Sequence, residues 1–243
     1  MRKTMVAAAT LLLLATLGAP FASAEWIPLV KLDILDDGNA GETFVEDGFT
    51  GWAPKVTGDA DPPPTSTTIE GITISFDVGA YQQDRFRTLP ANTPATKMYQ
   101  DTFWGRAADL NDKGLDITLS GLTAGQPYLV ALYAYDYADW NGTQSCDWTA
   151  NGEFAFNISW YAEDDDGLPI DLPTSLDTFK RTVVVEADGN GEILLVSSPG
   201  TGVPSTTYWA NCSGLEIYGV PEPGMIVSLL GAVFAGLMIR RRK

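Results

Sequence analysis

The sequence contains no histidine. That absence removes Ser-His-Asp and Cys-His nucleophile systems, histidine-ligated zinc and the H-E-x-x-H metalloproteases together. No G-x-S-x-G elbow, phosphate-cradling glycine loop or dinucleotide fingerprint occurs either. Cations are scarce, with 15 Lys and Arg against 31 Asp and Glu in 243 residues. Such a balance repels nucleic acid and anionic headgroups, so a nucleic-acid role is set aside. Only two cysteines are present, and helical periodicity is almost absent between the two ends.

The ends themselves are apolar. Arg2 and Lys3 precede an uncharged run from Met5 to Gly18, and Ala22-Ser23-Ala24 supplies the small residues of a signal-peptidase site. Residues 1–24 are therefore expected to be a cleavable signal peptide, cut after Ala24, with signal peptidase as a processing partner. At the other end, Pro221-Glu222-Pro223 leads into an apolar stretch from Gly224 to Ile239 and the tail Arg240-Arg241-Arg242-Lys243. Without these termini, nine cations face 30 acids, a formal charge of about −21 on the body. In an exported chain, Cys146 and Cys212 read as a disulfide closing a loop of about 66 residues, worth roughly 4 kcal/mol in the chain-entropy model. A metal or redox pair lacks C-x-x-C spacing and a histidine partner.

The body reads as one domain, residues 25–219, of short strands. Apolar and polar residues alternate over Ile72–Val78 and Leu115–Ser120, as in half-buried antiparallel strands. The nearly continuous apolar run Leu129–Tyr137 predicts a central strand covered on both faces. Residues 182–187 and 192–197 flank Asp188-Gly189-Asn190-Gly191, the strongest hairpin signal in the chain. Further strands are expected at 29–35, 153–161 and 215–220, one short helix near 95–104, and proline-containing loops at 57–67 and 89–96. The fold class that follows is all-β, an antiparallel β-sandwich or jelly roll.

Three acidic loops have calcium chemistry, and the best is Asp33, Asp36, Asp37 and Asn39, although none follows the EF-hand spacing. Solvated turns use the same residues, so the cofactor expectation is none beyond a structural calcium. The segment YDYADWNGTQSCDW places Asp136, Trp140, Asn141 and Trp148 together after the central strand. Trp140 or Trp148 would stack on a sugar face, with Asp136 and Asn141 bonding hydroxyls; core packing of the aromatics is the rival reading. No catalytic residue is assigned. With 30 acids in the body, some carboxylate pair will stand at glycosidase spacing in any fold, so the composition carries little signal for that reaction.

The ending from Val220, with Pro221, Glu222, Pro223, the apolar stretch and Arg240 to Arg242, closely resembles the PEP-CTERM sorting signal of exported proteins in Gram-negative-type bacteria. The resemblance implies that 220–243 is a sorting signal: a transmembrane helix over 224–239, a basic tail left on the cytoplasmic side, and cleavage near Pro-Glu-Pro by an exosortase. Sixteen helical residues span about 24 Å, short of a hydrocarbon core of roughly 30 Å, as suits a transient stop in the inner membrane better than a permanent anchor. The body, through Val30-Lys31-Leu32-Asp33, Asp84-Arg85, Gln100-Asp101-Thr102-Phe103, the stretch from Leu115 to Leu122, Tyr133-Ala134-Tyr135-Asp136 and Cys212-Ser213-Gly214-Leu215-Glu216-Ile217, is similar to a recurrent domain of such proteins related to galactose-binding-like or malectin-like sandwiches. Relatives place histidines where this chain has Ala134 and Tyr135. The expected function is that of an exported, non-enzymatic protein of the cell surface or biofilm matrix that binds extracellular polysaccharide. A purely structural matrix protein and a carboxylate glycosidase are the alternatives.

Overall fold

The computed structural model describes residues 25–36, 45–55, 64–79, 81–86, 89, 97–106, 114–136, 143–161, 171–200 and 209–220. The segments expected to be a signal peptide, with Ala22 and Ala24, and a sorting signal, with Pro221, Glu222, Pro223, Arg240, Arg241 and Arg242, and the site candidates Asp37, Asn39, Trp140 and Asn141 lie outside them. Among the described residues no helix is long and apolar enough to cross a membrane.

Among the described residues, fourteen strands follow in order: β1 Ile27–Ile34, β2 Thr50–Trp52, β3 Thr65–Ile69, β4 Ile72–Val78, β5 Tyr81–Phe86, β6 Asp101–Arg106, β7 Leu115–Ser120, β8 Pro127–Tyr133, β9 Thr143–Ala150, β10 Glu153–Tyr161, β11 Lys180–Glu186, β12 Ile193–Pro199, β13 Trp209–Cys212 and β14 Gly214–Gly219. They form a five-stranded sheet (β11-β8-β14-β1-β2), a six-stranded sheet (β10-β9-β12-β7-β4-β3) and a three-stranded sheet (β13-β6-β5). The β1–β2 pair is parallel. The two large sheets share a core in which Val30, Leu32, Ile34, Val130, Leu132, Leu215 and Ile217 of one meet Ile74, Phe76, Ile117, Leu119, Trp148, Ile158 and Leu195 of the other. The chain is thus an all-β sandwich, and Pro28–Gly219 forms one compact unit.

Period-two alternation explains the best-defined strands. In β4 and β7 the apolar positions are buried and the intervening Thr, Ser and Asp are half-exposed. β8 is buried at every position from Val130 onward, as its apolar run predicts, but the strand ends at Tyr133.

Three expectations are corrected. The Asp188–Gly191 turn does not close a hairpin: β11 pairs with β8, whereas β12 pairs with β7 and β9. The turn carries the chain from one sheet to the other, and its carboxylate bonds Asn190 N at 2.8 Å and Glu192 N at 2.9 Å. Turn chemistry sets a local reversal and leaves the pairing partner open. The expected helix over 95–104 is a single 3-10 turn, Lys97–Tyr99, followed directly by β6. Cys146 and Cys212 are free thiols rather than a disulfide, both buried. They sit on strands of different sheets, and each thiol is satisfied by a carbonyl, Cys146 Sγ donating to Ser198 O at 3.3 Å and Cys212 Sγ to Gly214 O at 3.6 Å. Burial pushes both thiols above their ordinary range.

Candidate functional site

β14 runs antiparallel to β8, with Gly214 opposite Tyr133. Ile34 N donates to Ser213 O, and Ser213 N donates to Tyr133 O at 2.7 Å. The C-terminal ends of β1 and β8 therefore meet at one end of the sandwich. Both stretches singled out in the sequence, Asp33 with Asp36 and Tyr135 with Asp136, start from this end.

Asp33 alternates with Leu32 and Ile34, so its side chain lies on the face of the sheet turned away from the sandwich core. It is nonetheless fully buried, because residues 45–49 and the 97–99 turn pack over that face. Glu46 N donates to Asp33 Oδ2 at 2.6 Å, and Met98 N donates to Glu46 Oε2 at 3.3 Å. Phe49 and Tyr99 pack against Tyr133, and Tyr99 OH donates to Leu176 O at 2.6 Å. Tyr135 stacks on Phe179 at 4.6 Å, with Trp160 beside it.

Asp101 opens β6 at the same place and is 1 % exposed. Its Oδ1 accepts from Asp36 N at 3.3 Å. Burial pushes both carboxyls up to about 7, against the lowering effect of these main-chain bonds; the charge of Asp101 raises Asp33 further, as those of Asp36 and Asp84 raise Asp101. Asp33 Oδ1 and Asp101 Oδ2 are buried without a hydrogen-bond partner. Of the proposed calcium ligands, Asp36 bonds Asp101 through its main-chain N, and Asp33 feels the charge of Asp101. Among the described residues no three acidic or cysteine side chains are grouped to hold a metal.

The sugar site is altered. Asp136 is 7 % exposed and Trp148 is not exposed at all. Trp148 points inward from β9, because Cys146, Trp148 and Ala150 share the core parity of that strand. It cannot act as a stacking platform, and the segment read as a long loop becomes β9 from Thr143 onward.

A second polar cluster escaped the sequence reading. Glu216 of β14, 2 % exposed, accepts on Oε2 from Lys180 Nζ at 2.6 Å and Tyr133 OH at 2.8 Å. Its Oε1 accepts from Tyr218 OH at 2.8 Å and pairs with Lys31 Nζ at 3.3 Å. Burial opposes its ionisation, but the donors led by Lys180 and Tyr133 together hold the carboxyl below its ordinary range. The only hint in sequence is an acid interrupting an apolar strand, a pattern shared by Asp33. At the opposite end, a cleft of about 510 Å³ is lined by Pro28, Leu29, Glu70, Ile72, Leu122 and Tyr128 among others.

These features define an all-β sandwich with one end rich in buried carboxyls. No family model matches the sequence, and none of the curated proteins is found to be similar to it. Among solved structures, the chain is similar to the ANXUR1 extracellular domain from Arabidopsis thaliana, at 13% identity and TM-score 0.41 over 80% of this chain and 48% of that one. It is also similar to the ANX2 ectodomain from the same plant, at 13% identity and TM-score 0.42 over 81% and 50%. A third similarity is to the complex of the plant peptide RALF23 with FER and LLG2, at 12% identity and TM-score 0.46 over 84% and 55%. The chain spans about half the length of these structures.

Proposed function

We propose that this chain is an exported binding protein without enzymatic activity, sorted to the bacterial cell surface or matrix and engaging extracellular carbohydrate through a galactose-binding-like sandwich. The observation that carries the binding reading is the path of the chain at the carboxyl-rich end. β8 ends at Tyr133 in one large sheet and β9 begins at Thr143 in the other, and Trp140 and Asn141 fall between them in the sequence. Loops that bridge layers at the end of a rigid sandwich are where aromatic and amide side chains can meet a ligand. With Trp148 assigned to the core, Trp140 is the stacking candidate and Asn141 its polar partner.

A non-enzymatic role is supported by the burial of Asp33 and Asp101. Their raised carboxyls would suit a general acid, but sealed at 0 and 1 % exposure they have no path to a glycosidic oxygen. Export and sorting rest on the two termini, with signal peptidase and an exosortase as processing partners. A purely structural matrix role is the second reading, favoured by the burial of Trp148, Trp160 and Tyr135.

The purified exported protein, screened against neutral and acidic bacterial and algal polysaccharides, is expected to bind at least one of them, and Trp140→Ala to abolish that binding. No binding across the panel would sink the carbohydrate reading. For sorting, the intact mass of surface-released protein decides: a species still ending at Lys243 defeats cleavage by an exosortase.

A further inference from the structure

We propose that Asp33 and Asp101 together hold a divalent, oxygen-preferring cation of the calcium class, which ties β1 to β6 at the carboxyl-rich end of the sandwich.

The acidic character of this end would not by itself define a site. The second observation is that each carboxylate is anchored through one oxygen and its other oxygen is buried with no hydrogen-bond partner. Asp33 Oδ2 takes Glu46 N and Asp101 Oδ1 takes Asp36 N, whereas Asp33 Oδ1 and Asp101 Oδ2 have no partner. Both residues are at least 99 % buried. An isolated ionised carboxylate in such surroundings is strongly disfavoured unless a cation or a proton meets it.

Among the described residues the surroundings supply little positive charge. Asp33 feels Asp101, Glu46 and Lys97, and Asp101 feels Asp36 and Asp84. Lys97 is the single cation of that group, and its ammonium is directed to Val45 O at 3.2 Å and to the exposed Asp47 at 3.0 Å. Glu46 is held by Met98 N. The main-chain bonds orient the carboxylates without neutralising them.

Two carboxylate oxygens do not fill a coordination shell. Hard cations take main-chain carbonyls and water for the remainder, which fits the absence of a third acidic ligand among the described residues. The assignment replaces the contiguous loop set read from sequence with a pair 68 positions apart, joined only by the fold. It does not depend on what the protein binds at Trp140.

The test uses the exported protein stripped with a chelator and then dialysed against calcium chloride, with magnesium chloride as a second arm. One calcium ion per chain is expected, bound more tightly than magnesium. At calcium about 100 times its Kd, the melting temperature should rise by roughly 5–10 °C. Asp101→Asn and Asp33→Asn should each abolish both effects. Should either variant fail to fold, retained calcium and the chelator-induced fall in melting temperature of the unaltered protein still decide. No bound calcium overturns the inference, as does binding that survives both substitutions. Stability that rises from pH 8 to pH 5 but ignores calcium also overturns it, because the pair would then be met by a proton.

Discussion

Replacing Glu216 with Gln tests whether the buried carboxylate on the outer face of the five-stranded sheet organises its neighbours. Gln keeps the size of the side chain but turns one acceptor oxygen into an NH2 donor. That donor would face either Lys180 and Tyr133 or Lys31 and Tyr218; the tyrosine hydroxyl can turn to accept from it, but the lysine cannot, so one lysine interaction is lost whichever way the amide turns and the others no longer meet a charge. Hydrogen bonds to charged groups contribute about 1.5–3 kcal/mol each. Lys31 keeps about a third of its side chain in water and recovers part of the loss by hydration. The expected destabilisation is therefore about 2–4 kcal/mol, a fall in melting temperature of roughly 5–15 °C for a domain of this size. Urea unfolding at pH 7 should show a lower midpoint with an unchanged slope. Because the carboxyl is held below 4.5 in the folded state, its contribution is complete above pH 4.5 and is lost as pH falls from there through its depressed folded value. The gap between Glu216→Gln and the unaltered protein should narrow over that acid range. A variant within about 0.5 kcal/mol at pH 7, or a gap as wide at pH 3 as at pH 7, would refute the reasoning.

Trp148→Ala should cost about 3–5 kcal/mol in chemical denaturation, because a fully buried indole is removed from between the sheets; native stability would return Trp148 to the candidate ligand site. Cys146 and Cys212 should resist iodoacetamide in the native protein and both react in urea, with no change in melting temperature on adding a reductant; an intact mass short by two hydrogens would show a disulfide instead. Gly121→Ala should destabilise by more than about 1 kcal/mol, since Gly121 has φ +84° and an added Cβ would strike the Gly71 carbonyl oxygen. Unchanged stability there would mean that the turn after β7 can move away from the turn between β3 and β4.

Strand parity was readable wherever one face of the sheet meets the core. Ile72–Val78 and Leu115–Ser120 alternate without interruption and fold as expected. Parity misled where the strand itself was not recognised. Once Thr143–Ala150 is a strand, Trp148 follows Cys146 inward, but the glycine, asparagine and aspartate preceding it resemble a loop. Turn chemistry misled in a different way at Asp188–Gly191, where the reversal is real but the strands on either side leave for different sheets. The short helix near 95–104 lost to tertiary packing, which turns Lys97–Tyr99 into a lid over Tyr133 and Asp33 and draws Asp101–Arg106 into the three-stranded sheet.

The candidate site divides in the same manner. Asp33 and Asp36 were visible as oxygen-rich residues in a loop-forming stretch, whereas Asp101 offered no motif and Glu216 only an acid in an apolar strand. Their partners come from elements far apart in the chain: Glu46 for Asp33, Asp36 for Asp101, and Lys31, Tyr133 and Lys180 for Glu216.

By itself the amino-acid sequence determined that this is a strand-built, strongly acidic chain without histidine chemistry, since composition and period-two alternation are local properties that no packing can alter. Tertiary structure alone decided which acids are stripped of water and which aromatic side chains are sealed inside. Those outcomes depend on which strands pair and what covers their faces. A carboxylate acquires its unusual character only when the fold removes its solvent and supplies, or withholds, a partner.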